Sequence, residues 1–176
     1  MADAGRAAVL ADPAGAEVYL WEARRRKGAA RVNAPGTWNW SNLEAADLAG
    51  AKAFYGEVFG WEFDDVSFGD GDSVMVRRPG YAETLAAHDP EIRRRHAEAG
   101  APVGFSDAIG WMLPGEDGSA HWSVTFTVDD ADAIADRAAA LGGAVVAPPV
   151  DVGPVRLAVL RDPQGAEFTV SHYDPS

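Results

Sequence analysis

The sequence contains no cysteine and no long run of apolar residues, and each absence removes a class of protein. Without cysteine the chain has no disulfide framework, no thiolate metal site and no cysteine nucleophile. Nowhere does an apolar run reach the roughly 18 residues of a membrane span, and the N-terminal stretch lacks the basic and apolar regions of a secretory signal. We therefore expect a cytoplasmic protein that neither crosses a membrane nor is anchored in one.

Basic residues are also scarce. Lys and Arg number 15 against 27 Asp and Glu, which gives a net charge of -12. Nucleic acids and anionic membranes both attract cationic surfaces, so we expect neither as a partner. The basic run Arg24-Arg-Arg-Lys27 lies in a polar stretch with Gly and Pro, as is typical of a solvated linker.

What the chain does contain is apolar side chains and a repeat. Hydrophobic residues make up 47% of the sequence, with six Trp and seven Phe, enough for one domain or two small modules that share a core. Residues 6–17 match residues 156–167 at a constant offset, with nine of twelve positions identical. Each copy predicts a β-hairpin closed by an Asp-Pro-x-Gly turn. A two-stranded hairpin cannot bury a face by itself, so each copy should belong to a larger unit.

The order strand, helix, three strands occurs twice, over residues 37–115 and 119–174. In the first copy Asp47 is the expected N-cap of a helix that ends at Gly60, and an aspartate again precedes the helix of the second copy. Residues 79–104 interrupt the first copy with turns and a polar helix that carries three consecutive arginines and His96. This interruption predicts an insertion or a lid.

Three segments carry a resemblance to a known family. They are Phe54-Tyr-Gly-Glu-Val-Phe-Gly-Trp61, Leu141-Gly-Gly-Ala-Val145 and Asp162-Pro-Gln-Gly-Ala166. With two βαβββ modules in tandem, they resemble the vicinal oxygen chelate superfamily of glyoxalases, bleomycin-resistance proteins and extradiol dioxygenases. Within it the chain is similar to two-domain actinobacterial glyoxalase-like proteins, some of which are labelled hydroxylases. The resemblance implies an α+β fold in which two βαβββ modules form a curved-sheet cleft, with an extra N-terminal β-hairpin.

The same resemblance divides the chain. Residues 1–22 would be a hairpin left from a preceding module, residues 23–36 a linker, and residues 37–176 the family domain. Two interpretations of the hairpin stay open: the chain is a truncated form of a longer protein, or it is a genuinely short protein whose hairpin covers a sheet edge or pairs with a partner chain.

Metal-dependent members of the family hold a divalent ion with His, Glu or Gln from the first and last strands of both modules. The positions that correspond here are Trp40, Ser123 and Thr169, with a fourth near Gly110 or Met112. A catalytic metal needs about three protein ligands, so we expect no metal and no other cofactor. A displaced divalent-metal site near His121, Glu167 and His172 is the alternative.

Alternation along the strands predicts which side chains face the cleft. Tryptophans, a methionine and short polar side chains fall on that side, as they do in many small-molecule pockets. The predicted ligand-binding residues are Trp38, Trp40, Asn42, Met75, Tyr81, Trp111, Ser123, Thr125 and Thr169. His121 and Glu167 are the candidate general acid or base.

Two hypotheses of function follow. In the first, the chain is a metal-free binding protein of the bleomycin-resistance kind for a small aromatic or hydrophobic metabolite. In the second, it is an enzyme of the glyoxalase, dioxygenase or hydroxylase type that acts on such a compound, through acid/base chemistry or an unrecognised metal. A homodimer is possible under either.

Overall fold

A computed structural model describes residues 3–68, 71–115 and 120–174. In these residues the chain forms ten strands, four α-helices and one short 3₁₀ helix, Phe105–Asp107. None of these helices combines the length and apolar character needed to span a bilayer. The strands are β1 (Gly5–Ala11), β2 (Glu17–Ala23), β3 (Trp38–Ala45), β4 (Glu62–Phe68), β5 (Gly71–Arg77), β6 (Ala108–Pro114), β7 (His121–Thr127), β8 (Ala144–Val152), β9 (Val155–Arg161) and β10 (Glu167–Tyr173), and the helices are α1 (Leu48–Phe59), α2 (Tyr81–Ala86), α3 (Ile92–Glu98) and α4 (Ala131–Ala140).

Eight strands form one curved sheet in the order β4-β5-β6-β3-β7-β10-β9-β8. The first βαβββ module supplies β3, α1, β4, β5 and β6, and the second supplies β7, α4, β8, β9 and β10. The modules join where β3 and β7 pair antiparallel, and each of these strands pairs in parallel with the last strand of its own module. The fold predicted from the sequence is therefore confirmed.

Both module helices begin as their sequences predict. The Asp47 carboxylate accepts a hydrogen bond from the Gly50 amide, and the helix ends at Gly60, which has the left-handed φ of 67° that glycine tolerates. In the second module the capping residue is Asp130, whose carboxylate accepts from the Ala133 amide. These caps set where each helix starts across the sheet.

The sheet has a helix face and an open face. On the helix face, Leu43, Val74, Met112 and Trp122 pack with α1 around the fully buried Tyr55. The second module repeats this arrangement, with Leu160, Val170 and Phe168 packed against α4. Strand residues of the opposite parity lie on the open face, which α1 and α4 leave uncovered. These two clusters form the core on the helix face.

The N-terminal hairpin, β1 with β2, forms a separate two-stranded sheet. It is held to the first module by its turn, where Ala16 belongs to the core cluster and Val18 packs against it. The buried Asp12 carboxylate accepts hydrogen bonds from the Ala14 and Ala16 amides and from the Tyr55 hydroxyl. The rest of the hairpin is largely exposed, so its turn is the anchor.

Residues 79–107, which we call the insertion, leave the first module between β5 and β6 and carry α2, α3 and the 3₁₀ helix. Ion pairs join Arg93 to Glu83 and Arg95 to Asp89 within it. The Asp107 carboxylate accepts a hydrogen bond from the Ala82 amide and so ties its end to its beginning. The insertion is therefore braced by its own residues.

Candidate functional site

An aromatic cluster lies on the open face of the sheet. Trp40 of β3 and Trp111 of β6 meet with ring centroids 6.3 Å apart and planes at 71°. Phe105 of the insertion completes a triangle, 5.8 Å from Trp40 and 6.4 Å from Trp111. His96 of α3 packs its ring edge-on against Phe105 at 4.9 Å. The insertion thus folds over the open face and closes this part of the cleft with an aromatic ring.

His96 is part of this closure. Its Nδ1 atom is 3.0 Å from the Ser106 hydroxyl, so the imidazole is held beside Phe105. Burial lowers the pKa of His96 below its usual value, Arg95 lowers it further, and Asp89 opposes the shift. The neutral imidazole is therefore favoured, which keeps the cluster apolar near neutral pH.

Short polar side chains continue the open face beside the aromatic cluster. The Asn42 side-chain amide donates to the Thr125 hydroxyl at 3.0 Å, and both residues are buried. Trp40 and Thr169 lie opposite Thr125 on its two neighbouring strands. Ser123 lies opposite Asn42, which in turn lies opposite Trp111. The cleft therefore offers rings next to hydroxyl and amide groups.

Glu44 and His121 form an acid/base pair further along the same face. They lie opposite each other on β3 and β7, with Glu44 Oε1 3.8 Å from His121 Nε2. The Ser123 hydroxyl, 3.4 Å from the same carboxylate oxygen, is placed to donate to it. The pair is two residues along the strands from Asn42, or about 7 Å at the usual rise per residue. A ligand that touches Trp111 could therefore reach it.

Glu167, the second candidate acid or base, lies on the open face but is held by an arginine. Arg161, its neighbour on β9, donates from Nη2 to Glu167 Oε1 at 2.5 Å and from Nε at 2.8 Å. Arg161 therefore occupies the carboxylate oxygen that Glu167 would offer to a ligand.

Next to the aromatic cluster, an open groove of about 520 Å³ runs between the first module and the insertion. Met75, which lies opposite Trp111, forms part of its wall, and Pro102 and Gly104 of the insertion form another part. Arg77 lines it as well and is paired with Glu62 and Asp64. The groove is open to solvent, and its wall combines charged and apolar residues.

Two of the predicted ligand-binding residues do not join this arrangement. A β-bulge in β3 places Trp38 opposite Phe126 of the helix face, and its indole N–H donates to the Ser41 hydroxyl. The prediction that Trp38 faces the cleft is therefore wrong, because the bulge reverses the alternation. Tyr81 begins α2 of the insertion and is half-buried, whereas the other predicted residues lie on strands of the sheet.

Sequence reasoning missed four residues of the site. Phe105 and His96 belong to the insertion, where alternation gives no guide to what they contact. Glu44 could have been found, because it has the same strand parity as Trp40 and Asn42. Arg161 could have been found in the same way. It has the same strand parity as Val159, and Val159 lies opposite Thr169 of the open face.

The open face does not fit the divalent metal of the metal-dependent family members. Indole and hydroxyl groups stand at Trp40, Ser123 and Thr169, and Glu44 with His121 supplies two donors where about three are needed. Across residues 3–68, 71–115 and 120–174, no three His, Asp or Glu side chains come together as a metal site requires.

With this geometry in place, comparisons identify the family. A model of the Glyoxalase/Bleomycin resistance protein/Dioxygenase superfamily matches residues 39–170. The chain belongs to this superfamily. The 2,3-dioxygenase LapB from Pseudomonas sp. KL28 superposes with a TM-score of 0.56 at 16% identity, over 99% of this chain and 60% of LapB, and so shares the fold.

Two curated relatives are more similar in sequence. A Mycobacterium tuberculosis protein with the provisional name glyoxylase CFP32 is 40% identical over 96% of this chain and 56% of its own length. The anthracycline biosynthesis protein DauV of Streptomyces sp. (strain C5) is 33% identical over 94% of this chain and 52% of its own length. The chain therefore spans about half the length of the curated relatives it matches.

Proposed function

We propose that the open face binds a small, flat aromatic or hydrophobic metabolite without a metal ion, in the cytoplasm. The observation that carries this proposal is the aromatic cluster of Trp40, Trp111 and Phe105 beside the Asn42–Thr125 hydrogen bond. Aromatic rings bind other rings edge-on or offset, and amide and hydroxyl groups fix their orientation. DauV supports the ligand class, because its name connects it with anthracyclines, which are flat aromatic polyketides.

Exchanging one tryptophan tests the proposal. With a dihydroxyanthraquinone as the probe, Trp40→Ala is expected to weaken binding about three- to tenfold, because a ring contact of this kind contributes about 0.5–1.5 kcal/mol beyond burial. Tryptophan fluorescence quenching and calorimetry measure the affinity. Chelator treatment, or added Zn²⁺, Ni²⁺, Mn²⁺ or Fe²⁺, is expected to leave the affinity unchanged.

Trp38→Ala is the matched control. Trp38 is on the same strand two residues away, but it belongs to the opposite face and is 36% exposed. Its replacement should leave probe affinity within about twofold of wild type. Equal losses in the two variants would contradict a site on the open face, and restoration of binding only by a metal would contradict the metal-free proposal.

The Glu44–His121 pair favours a second candidate, an enzyme that moves a proton on the same ligand. His121 is half-exposed at the cleft, and its Nε2 atom lies 3.8 Å from the Glu44 carboxylate. It could take a proton from a carbon next to a carbonyl group and return it to the neighbouring atom, with Glu44 balancing the imidazolium charge. The candidate general base is therefore His121, with Glu44 as its positioning residue.

A glyoxalase-type probe tests this candidate. The hemithioacetal of phenylglyoxal and glutathione has an aromatic ring and isomerises by proton transfer between adjacent carbons. If the candidate is correct, His121→Ala should lower turnover about 100-fold or more while anthraquinone binding stays intact. His172→Ala is the control, because His172 shares the parity of the buried Val170 on the helix face. Wild-type turnover no faster than the uncatalysed isomerisation would exclude this reaction for the chain.

A further inference from the structure

Phe105 differs in origin from the two tryptophans that it contacts. Trp40 and Trp111 come from adjacent central strands, β3 and β6, whose pairing fixes their separation. Phe105 is delivered by the insertion, on a single 3₁₀ turn that follows Gly104. The pairing of β3 with β6 therefore sets the positions of Trp40 and Trp111, and the insertion supplies the ring that contacts both.

The segment before Phe105 is built for close approach and for turning. Gly104 has a φ of 82°, and a Cβ added to it would lie 2.9 Å from Arg77 Cδ. Two residues form the exposed bend before it: Val103 is 96% exposed, and Pro102 also lines the open groove. Phe105 thus follows a turn whose residues line the open groove, and its amide donates to the Pro102 carbonyl.

The polar contacts of the insertion do not involve the Phe105 side chain. Its ion pairs Arg93–Glu83 and Arg95–Asp89 lie wholly within it. His96 is tied to Ser106, the residue next to Phe105. Moving the Phe105 ring away from the tryptophans would therefore exchange ring contacts for ligand contacts without separating these charges.

We propose that Phe105 occupies a ring-binding subsite of the cleft, and that an aromatic ring of the ligand takes its place between Trp40 and Trp111. This inference rests on the proposed function. The displaced Phe105 ring moves toward the groove beside Met75 and Gly104, and the ligand's polar groups reach Asn42 and Ser123. The ligand class is then an aromatic ring of about phenyl width, extended at one end by a carbonyl or hydroxyl group.

Removing the resident ring tests the proposal. A site whose competent state is only partly populated binds with an affinity reduced by that fraction. Phe105→Ala is therefore expected to bind dihydroxyanthraquinone about tenfold more tightly than wild type, with faster association in stopped-flow fluorescence. Phe105→Leu retains bulk without the ring and should lie between them, and circular dichroism checks that both variants are folded.

A direct probe of position completes the test and does not depend on a substitution that disturbs packing. 4-Fluorophenylalanine at position 105 should show a ¹⁹F shift when the anthraquinone is added. The same label at position 168, which packs edge-on with Phe126 on the helix face, should show none.

The outcomes separate this proposal from the proposed function. If wild type binds the probe through Trp40 but Phe105→Ala binds equally well or more weakly, Phe105 is a wall of the site and the displacement is wrong. An unshifted ¹⁹F signal at position 105 in the presence of bound probe leads to the same conclusion. If neither wild type nor folded Phe105→Ala binds the probe, both proposals fail for this ligand class.

Discussion

Replacing Asp12 by alanine is expected to lower the free energy of unfolding by about 3 kcal/mol, measured by urea denaturation. Asp12 is buried, with only 6% of its surface exposed. Its carboxylate accepts hydrogen bonds from two backbone amides and from the Tyr55 hydroxyl. The Tyr55 hydroxyl in turn accepts from the Trp122 indole at 2.9 Å. Alanine would leave these buried donors without their acceptor. Hydrogen exchange should show the hairpin amides opening first.

The internal repeat supplies the control. Asp162 occupies the same place in the second Asp-Pro-x-Gly turn, and its carboxylate accepts from the Gln164 and Ala166 amides in an exposed setting. Asp162→Ala should therefore cost about 1 kcal/mol or less, because water can replace the lost acceptor. Equal costs at the two positions would show that the Tyr55 contact does not anchor the hairpin.

Gly110→Ala is expected to destabilise the protein by about 2–3 kcal/mol and to weaken probe binding as well. A Cβ at this position would lie 2.5 Å from the Ser41 carbonyl oxygen, so β3 and β6 would have to separate. That separation would move Trp111 relative to Asn42, its neighbour in the register. Thermal unfolding and the anthraquinone assay measure the two effects.

Gly56→Ala is the control for this substitution. Gly56 lies within α1, and an added Cβ would come no closer than 3.5 Å to its nearest neighbour, Phe63. Alanine favours a helix interior over glycine by up to about 1 kcal/mol, so this variant should be neutral or slightly more stable. A Gly110→Ala protein as stable as wild type would show that the two strands adjust without cost.

The link through Tyr55 also shows how far the sequence could predict this fold. The capping aspartates, the stop at Gly60 and the repeated strand order depend on local chemistry, and they predict both modules correctly. Tyr55 follows the helical period, which predicts its burial. Its hydroxyl contacts Asp12, 43 residues away along the chain, and no local pattern encodes that distance.

The candidate site was predictable only where the strands are regular. Alternation places Trp40, Asn42, Ser123 and Thr125 on the open face, as the structure does. It fails at Trp38, where one extra residue in β3 forms a bulge. Strand alternation predicts nothing about Phe105 and His96, because the path of the insertion depends on contacts with the sheet and not on a repeating pattern.

The seam between β3 and β7 has a consequence for how the cleft arises during folding. Its buried hydrogen bond joins Asn42 to Thr125, which are 83 positions apart. Closing so long a loop costs conformational entropy before the contacts across it form, and such contacts slow folding. Within each module, the helix and hairpin contacts join residues closer in sequence, so they cost less entropy to form. The open face, which takes side chains from both halves, therefore depends on the pairing of β3 with β7 as well as on contacts within each module.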